Sequence, residues 1–151
     1  MTITDLISPS RALCGLEGGS KKRILEMASQ AIAAQNPPLE ADDIFSGLVS
    51  RERLGSTGIG EGVAIPHCRL SNCNEALGYL IKLDTPIDFD AIDNKPVDLL
   101  FILTVPEDAC EQHLNTLASL AENFSRAEFR DILRACDTPT SLYQAVQQSA
   151  H

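Results

Sequence analysis

The residues best equipped for chemistry lie in one stretch, SRERLGSTGIGEGVAIPH, residues 50–67, where Arg51 precedes four glycines, Thr57 standing among them, and a histidine, His67, fixed behind Pro66. A neutral imidazole placed this way suits a nucleophile that takes a phosphoryl group and holds it. Catalysis of such a transfer rests on positioning and on neutralising the oxygens around phosphorus. The donors available are the loop amides, Gly58 and Gly60 among them, the Thr57 hydroxyl and an arginine. Arg51 is the candidate arginine, because its planar fork matches a phosphate and it stands at the end of the segment that feeds the loop. His113 is a candidate second contact, about one turn into a helix whose positive end favours a neutral imidazole and a nearby phosphate.

The same residues admit other readings. A glycine cluster before a strand is also ordinary turn chemistry, Arg51 also fits a helix C-terminal charge meeting free carbonyls, and His113 also fits a boundary residue with one nitrogen in water. His67, Cys68 and Cys73 together with Cys110 and His113 offer enough ligands for zinc, although no CxxC knuckle is present and Cys68 is adjacent to His67. We assign no metal and no cofactor. Cys68 as a hydrolase nucleophile lacks an acid that orients a base. Neither GxxxxGK[ST] nor GxGxxG occurs in the strand and helix setting that a nucleotide loop requires.

The elements that must position these residues follow from periodicity. Residues 20–34 carry apolar side chains at 24, 28 and 31, with 25 and 32 beside them, behind a capping Ser20, and NPP at 36–38 ends the helix. A second helix runs from about Glu40 to Arg53, with acids at 40, 42 and 43 and a stripe of Ile44, Phe45, Leu48 and Val49 that Arg51 continues at its edge. VAI at 63–65, ALGYLIKL at 76–83 and the nearly continuous VDLLFILTV at 97–105 read as strands, the last a central one covered on both faces. Asp108 and Glu111 stand as a capping pair before a helix with apolar residues at 110, 114, 117, 121 and 124, His113 lying one step off that stripe. Ser125 and Glu128 repeat the pair before FRDILRAC. Thr138 and Pro139 open a last helix. Helices flanking strands predict a three-layer α/β/α sandwich over a single domain, residues 1–151. The link between the two long strands holds no helix, so the small sheet is expected to be mixed.

With 151 residues and 44% hydrophobic content the chain can bury a sizeable core. No stretch approaches the roughly 20 apolar residues of a membrane span, and MTITDLISPS lacks the layout of a signal peptide. Five irregularly spaced cysteines point to a reducing, cytoplasmic compartment. The formal charge of −9 argues against nucleic acid as a ligand. Residues 84–111 hold eight acids against Lys95 alone, a net −7, which either steers a basic protein partner or serves as a solvated face.

SRERLGSTGIGEGVAIPH resembles the signature of the enzyme IIA domains of mannitol and fructose type in the bacterial phosphoenolpyruvate:sugar phosphotransferase system, most closely the nitrogen-regulatory IIA proteins. The similarity continues through TPIDFDAIDNKPVDLLFIL (85–103) and HLNTLASLA (113–121). The resemblance implies that His67 carries phosphate on Nε2 after transfer from a phosphohistidine on an HPr-like carrier. It also implies that Arg51 and His113 face the phosphate, and that a mixed sheet lies between helical layers. The activity implied is that of a regulatory phosphocarrier acting on target proteins. A sugar-uptake component that passes phosphate to a separate IIB protein, and a binding module indifferent to phosphate, stand as alternatives. Cys68 departs from the glycine that commonly follows PH in the family. If that glycine were needed at positive φ, cysteine there would cost roughly 1 kcal/mol or more, and an exposed thiol beside His67 would be open to oxidation.

Overall fold

The computed structural model describes residues 2–108 and 110–151. The elements in chain order are α1 (Ile3–Leu6), β1 (Ala12–Leu16), α2 (Lys21–Gln35), α3 (Ala41–Arg53), β2 (Gly58–Gly60), β3 (Val63–Ala64), β4 (His67–Leu70), β5 (Leu77–Ile87), β6 (Val97–Pro106), α4 (Cys110–Ser125), α5 (Ala127–Arg134) and α6 (Pro139–Ser149).

β6, the most apolar segment of the chain, lies inside the sheet. It pairs antiparallel with β5 on one side, and on the other runs parallel first to β3 (Val63 opposite Leu99) and then to β4 (His67 opposite Leu103). β1 is parallel to β5, and β2 closes the far edge antiparallel to β3. The sheet is mixed because the helix-free link 88–96 can only fold β6 back beside β5, whereas parallel neighbours need a longer crossover. β3 and β4 are one strand interrupted at Pro66, which has no amide to give but whose carbonyl accepts from Leu103 N–H at 2.9 Å.

Alternation along β6 divides the core. Leu100 and Ile102 pack with Ile24, Ile32, Ile44 and Leu48 of α2 and α3, and Leu99, Phe101 and Leu103 pack with Leu6, Leu120, Phe124, Phe129 and Leu142 on the opposite face. This is the expected three-layer arrangement. Ser20 Oγ accepts from Arg23 N–H at 3.2 Å, and Thr138 and Ser141 form a capping box at α6 behind Pro139.

Several expectations are corrected. The Ser125–Glu128 cap does not form: Arg126 is the N-cap of α5, and Ser125 Oγ donates to the Glu122 carbonyl at 2.6 Å. The buried face of α4 is rotated one residue from the expected stripe, so that Thr116, Leu120, Asn123 and Phe124 are buried while Leu114 is 67% exposed. The rotation turns His113 inward. β1, β2 and β4 are additions, each too short to show a period, and β1 is further broken by a bulge at Gly15. The expected Asp108–Glu111 cap spans residue 109, which lies outside the described residues, as does the Cys110 side chain.

Candidate functional site

His67 opens β4 directly after Pro66. Its Nδ1 lies 2.7 Å from the Ile65 carbonyl oxygen. A carbonyl only accepts, so Nδ1 carries the proton and the lone pair is on Nε2. Arg51 Nε donates to that Nε2 at 3.2 Å, and the same guanidinium donates from Nη1 to the Gly55 carbonyl at 2.9 Å. Arg51 therefore meets a free carbonyl beyond its helix, as a C-terminal charge would, and also the histidine. The His113 ring lies 5.1 Å from that of His67, tilted by 50°, and its Nδ1 is buried without a hydrogen-bond partner among the described residues.

Both imidazoles are held neutral. Burial pulls His67 below its ordinary value; the Ile65 hydrogen bond opposes this, and the Arg51 charge adds to it. His113 is driven down to about 4, by burial first and then by His67, Arg69 and Arg51. The positive charge at the site thus resides on arginines, while the nitrogen that would attack stays uncharged.

Arg69 and Glu52 are the site neighbours that sequence reasoning missed. Arg69 stands two residues along β4 from His67, hence on the same side of the strand. Reading HCRL as a strand would have paired them. Glu52 accepts the Thr57 amide at 3.2 and 3.1 Å and the Thr57 hydroxyl, and pairs with Lys21 at 2.8 Å. Thr57 is buried and both of its donors are spent on Glu52, so the donor toward phosphate expected of its hydroxyl is engaged elsewhere. Gly58 gives its amide to Ser56 Oγ at 3.0 Å and lies opposite Ala64; Gly60, at φ +98°, lies opposite Val63 and against Asp93. These contacts build the β2–β3 ribbon.

Cys68 points to the other layer. It sits in ordinary extended backbone, packed with α3 against Gly47 at 7% exposure, and burial pushes its thiol up to about 12. Neither the backbone strain nor the exposed thiol arises. The zinc set fails for the same reason, since Cys68 and Cys73 belong to the core on the α2–α3 side while His67 and His113 meet on the α4 side. Among the described residues no group of three or more histidine, cysteine or acidic side chains is placed to hold a metal, and no helix is long and apolar enough to cross a membrane.

Fold and site together define an α/β domain that presents one neutral histidine, tautomer fixed, against an arginine at the end of a helix. The family model for the phosphoenolpyruvate-dependent sugar phosphotransferase system, EIIA 2, matches residues 5–149. A nitrogen regulatory protein of Pseudomonas aeruginosa is 49% identical over 144 residues, covering 95% of this chain and 94% of that one. Its Escherichia coli counterpart is 45% identical over 128 residues, covering 84% and 78%. The crystal structure of nitrogen regulatory protein IIA-Ntr from Neisseria meningitidis superimposes with a TM-score of 0.88 at 40% identity, covering 95% of this chain and 98% of that one. Escherichia coli IIA mannitol shares the fold, with a TM-score of 0.76 at 13% identity over 93% and 98%. The chain belongs to the EIIA type 2 family of the phosphotransferase system.

Proposed function

We propose that this protein is a cytoplasmic phosphocarrier of a nitrogen-related phosphotransferase system, one domain over residues 1–151, that accepts a phosphoryl group on His67 and regulates partner proteins according to its phosphorylation state. The observation that carries this reading is the pair of bonds on the His67 ring, Nδ1–H to the Ile65 carbonyl and Nε2 facing Arg51. The similarity to proteins named nitrogen regulatory supports the regulatory assignment.

In the proposed step the Nε2 lone pair attacks phosphorus on the phosphohistidine of an HPr-like donor. A P–N bond forms at Nε2 as the donor's P–N bond breaks and its electron pair returns to the donor ring. Nδ1 keeps its proton, and the Ile65 carbonyl stabilises the positive charge drawn onto the ring. Arg51 re-aims from Nε2 to the phosphoryl oxygens, with His113 beside it and Arg69 adding charge. The protein's own residues suffice for this chemistry, so no cofactor enters it. Leu54, 84% exposed just beyond Arg51, and Leu114, beside His113, give a protein partner apolar ground on two sides of the histidine. Phosphorylation adds up to about two negative charges at this face, enough for a partner to tell the two forms apart without refolding.

Intact-mass analysis after incubation with phosphorylated HPr-like donor tests the reading. The wild type is expected to gain one phosphoryl group and His67→Ala none. No gain in either overturns the carrier reading and leaves a phosphate-independent binding module. Rapid onward transfer to a IIB protein would make the chain a sugar-uptake component instead of a regulator.

A further inference from the structure

Adjacent residues on a helix point about 100° apart, so where Arg51 is aimed at His67, Glu52 is aimed away from it, into the junction of residues 54–57 with the first turn of α2. Its side chain is only 6% exposed. A carboxylate so deep is strongly disfavoured unless paired and hydrogen-bonded, and here the Thr57 amide, the Thr57 hydroxyl and Lys21 Nζ meet that requirement. Lys21 also lies 4.7 Å over the Phe89 ring and 3.8 Å from Asp90. Ser56 Oγ donates to the Phe89 carbonyl at 2.6 Å. The segment that leaves α3 is therefore fastened to α2 and to residues 89–90 as well as to Glu52.

This matters for Arg51 because one of its two anchors, the Gly55 carbonyl, belongs to that segment. The Gly55 amide is held by the Glu52 carbonyl at 3.1 Å, but its carbonyl, the atom Arg51 uses, lies in the peptide plane shared with Ser56, so the direction of that carbonyl is set by what holds the residues after it. We propose that Glu52 is a positioning residue for phosphoryl uptake: by tying Thr57 down it fixes Gly55, and so holds the Arg51 guanidinium where it can pass from Nε2 to the incoming oxygens. Lys21 is the counter-ion to Glu52 in that place. The proposal rests on the reading that His67 accepts phosphate. It assigns the threonine of the glycine-rich stretch to the tether and leaves the phosphate to the arginine.

Glu52→Gln removes the charge at nearly constant shape, Thr57→Val removes the hydroxyl, and Lys21→Met removes the counter-ion. Two quantities are read on the full chain: the initial rate of phosphoryl gain from phosphorylated HPr-like donor, and the NMR signal of the Arg51 Nε–H in the unphosphorylated protein. Glu52→Gln is expected to slow uptake about ten-fold, with the final extent unchanged and the Arg51 signal lost to solvent exchange. Thr57→Val and Lys21→Met should each slow uptake about three-fold, and Thr57→Val should add nothing to Glu52→Gln. If Glu52→Gln does not fold, the two milder variants carry the test by the same two readouts. A wild-type rate with the Arg51 signal in place overturns the proposal, as does a slowed rate with that signal unmoved, since a merely structural role would leave Arg51 where it is. If the wild type takes no phosphate, the carrier reading fails, and the Arg51 signal alone then decides whether Glu52 positions that arginine.

Discussion

An imidazole that is to attack must be unprotonated at the attacking nitrogen, and at His67 burial and the neighbouring arginine favour the neutral ring while the Ile65 carbonyl, though it opposes them, keeps the remaining proton on Nδ1. The same arrangement has a cost in acid, most visible at His113, whose folded value of about 4 lies well below the 6.5 of an unfolded histidine. Between those limits the unfolded chain binds the proton and the folded one does not, so stability falls as pH falls. The contribution is complete above 6.5 and is lost as pH falls through about 4. Urea midpoints measured across this range should drop more steeply for the wild type than for His113→Gln, and parallel curves would show that His113 does not titrate as described. At this scale much of the candidate site is legible in the sequence: residue type and spacing single out His67, Arg51 and His113 as candidates, and the structure brings Arg51 and His113 against His67. Thr57 and Glu52 were not legible as a pair, because a tether across five residues depends on how the chain turns after α3. Periodicity carries no information about that turn.

The elements explain which faces were read correctly. β6 announces itself by seven apolar residues among nine, α2 by its cap and stripe, and α3 by its acidic start and stripe. α4 misled by one position because the rule counts apolar residues, whereas Thr116 and Asn123 are buried by bonding locally: Thr116 Oγ donates to the Gln112 carbonyl at 2.7 Å, and Asn123 Nδ2 donates to Ser119 and His151 carbonyls at 3.1 and 3.2 Å. With those polar groups satisfied inside, Leu114 is left outside next to His113. The central hairpin has a similarly hidden constraint at Gly78 of β5, where a Cβ would stand 2.5 Å from Phe101 Cζ and 3.0 Å from Leu6 Cβ. Phe101 has no exposed surface into which to retreat. Gly78→Ala should therefore lower the unfolding free energy by about 1–3 kcal/mol through overpacking, read by urea denaturation. The part still folded should accept phosphate at the wild-type rate. An unchanged midpoint would mean that the face between β5 and α1 yields more easily than its packing indicates.

Charge acts over the whole molecule. The chain is formally −9, yet the cations Arg51 and Arg69 collect on the His67 side, close enough to depress His113. Acids lie on the segments next to those that carry the site. The segment with Asp88, Asp90 and Asp93 packs on the glycine stretch, where Ala91 abuts Gly58 and Asp93 holds the Glu61 amide at 2.9 Å, and Glu107 and Asp108 follow β6 beyond the end of β4. Some of the acids counted in the sequence are neutralised locally: Asp98 by Arg134 at 2.9 Å, and Asp90 in part by Lys21. The rest leave an acidic excess over the chain with two arginines beside His67, and if His67 takes phosphate as proposed, such an arrangement would attract a basic carrier from a distance and its phosphoryl group at close range. The bimolecular rate of phosphoryl uptake from a basic HPr-like donor should then fall about ten-fold between low and high salt. Hydrolysis of the isolated phosphoprotein, which needs no encounter, should scarcely change. Stopped-flow quench at several salt concentrations separates the two rates. An uptake rate independent of salt would reduce the acidic excess to a solubilising charge, and partner choice would then rest on the apolar contacts at Leu54 and Leu114.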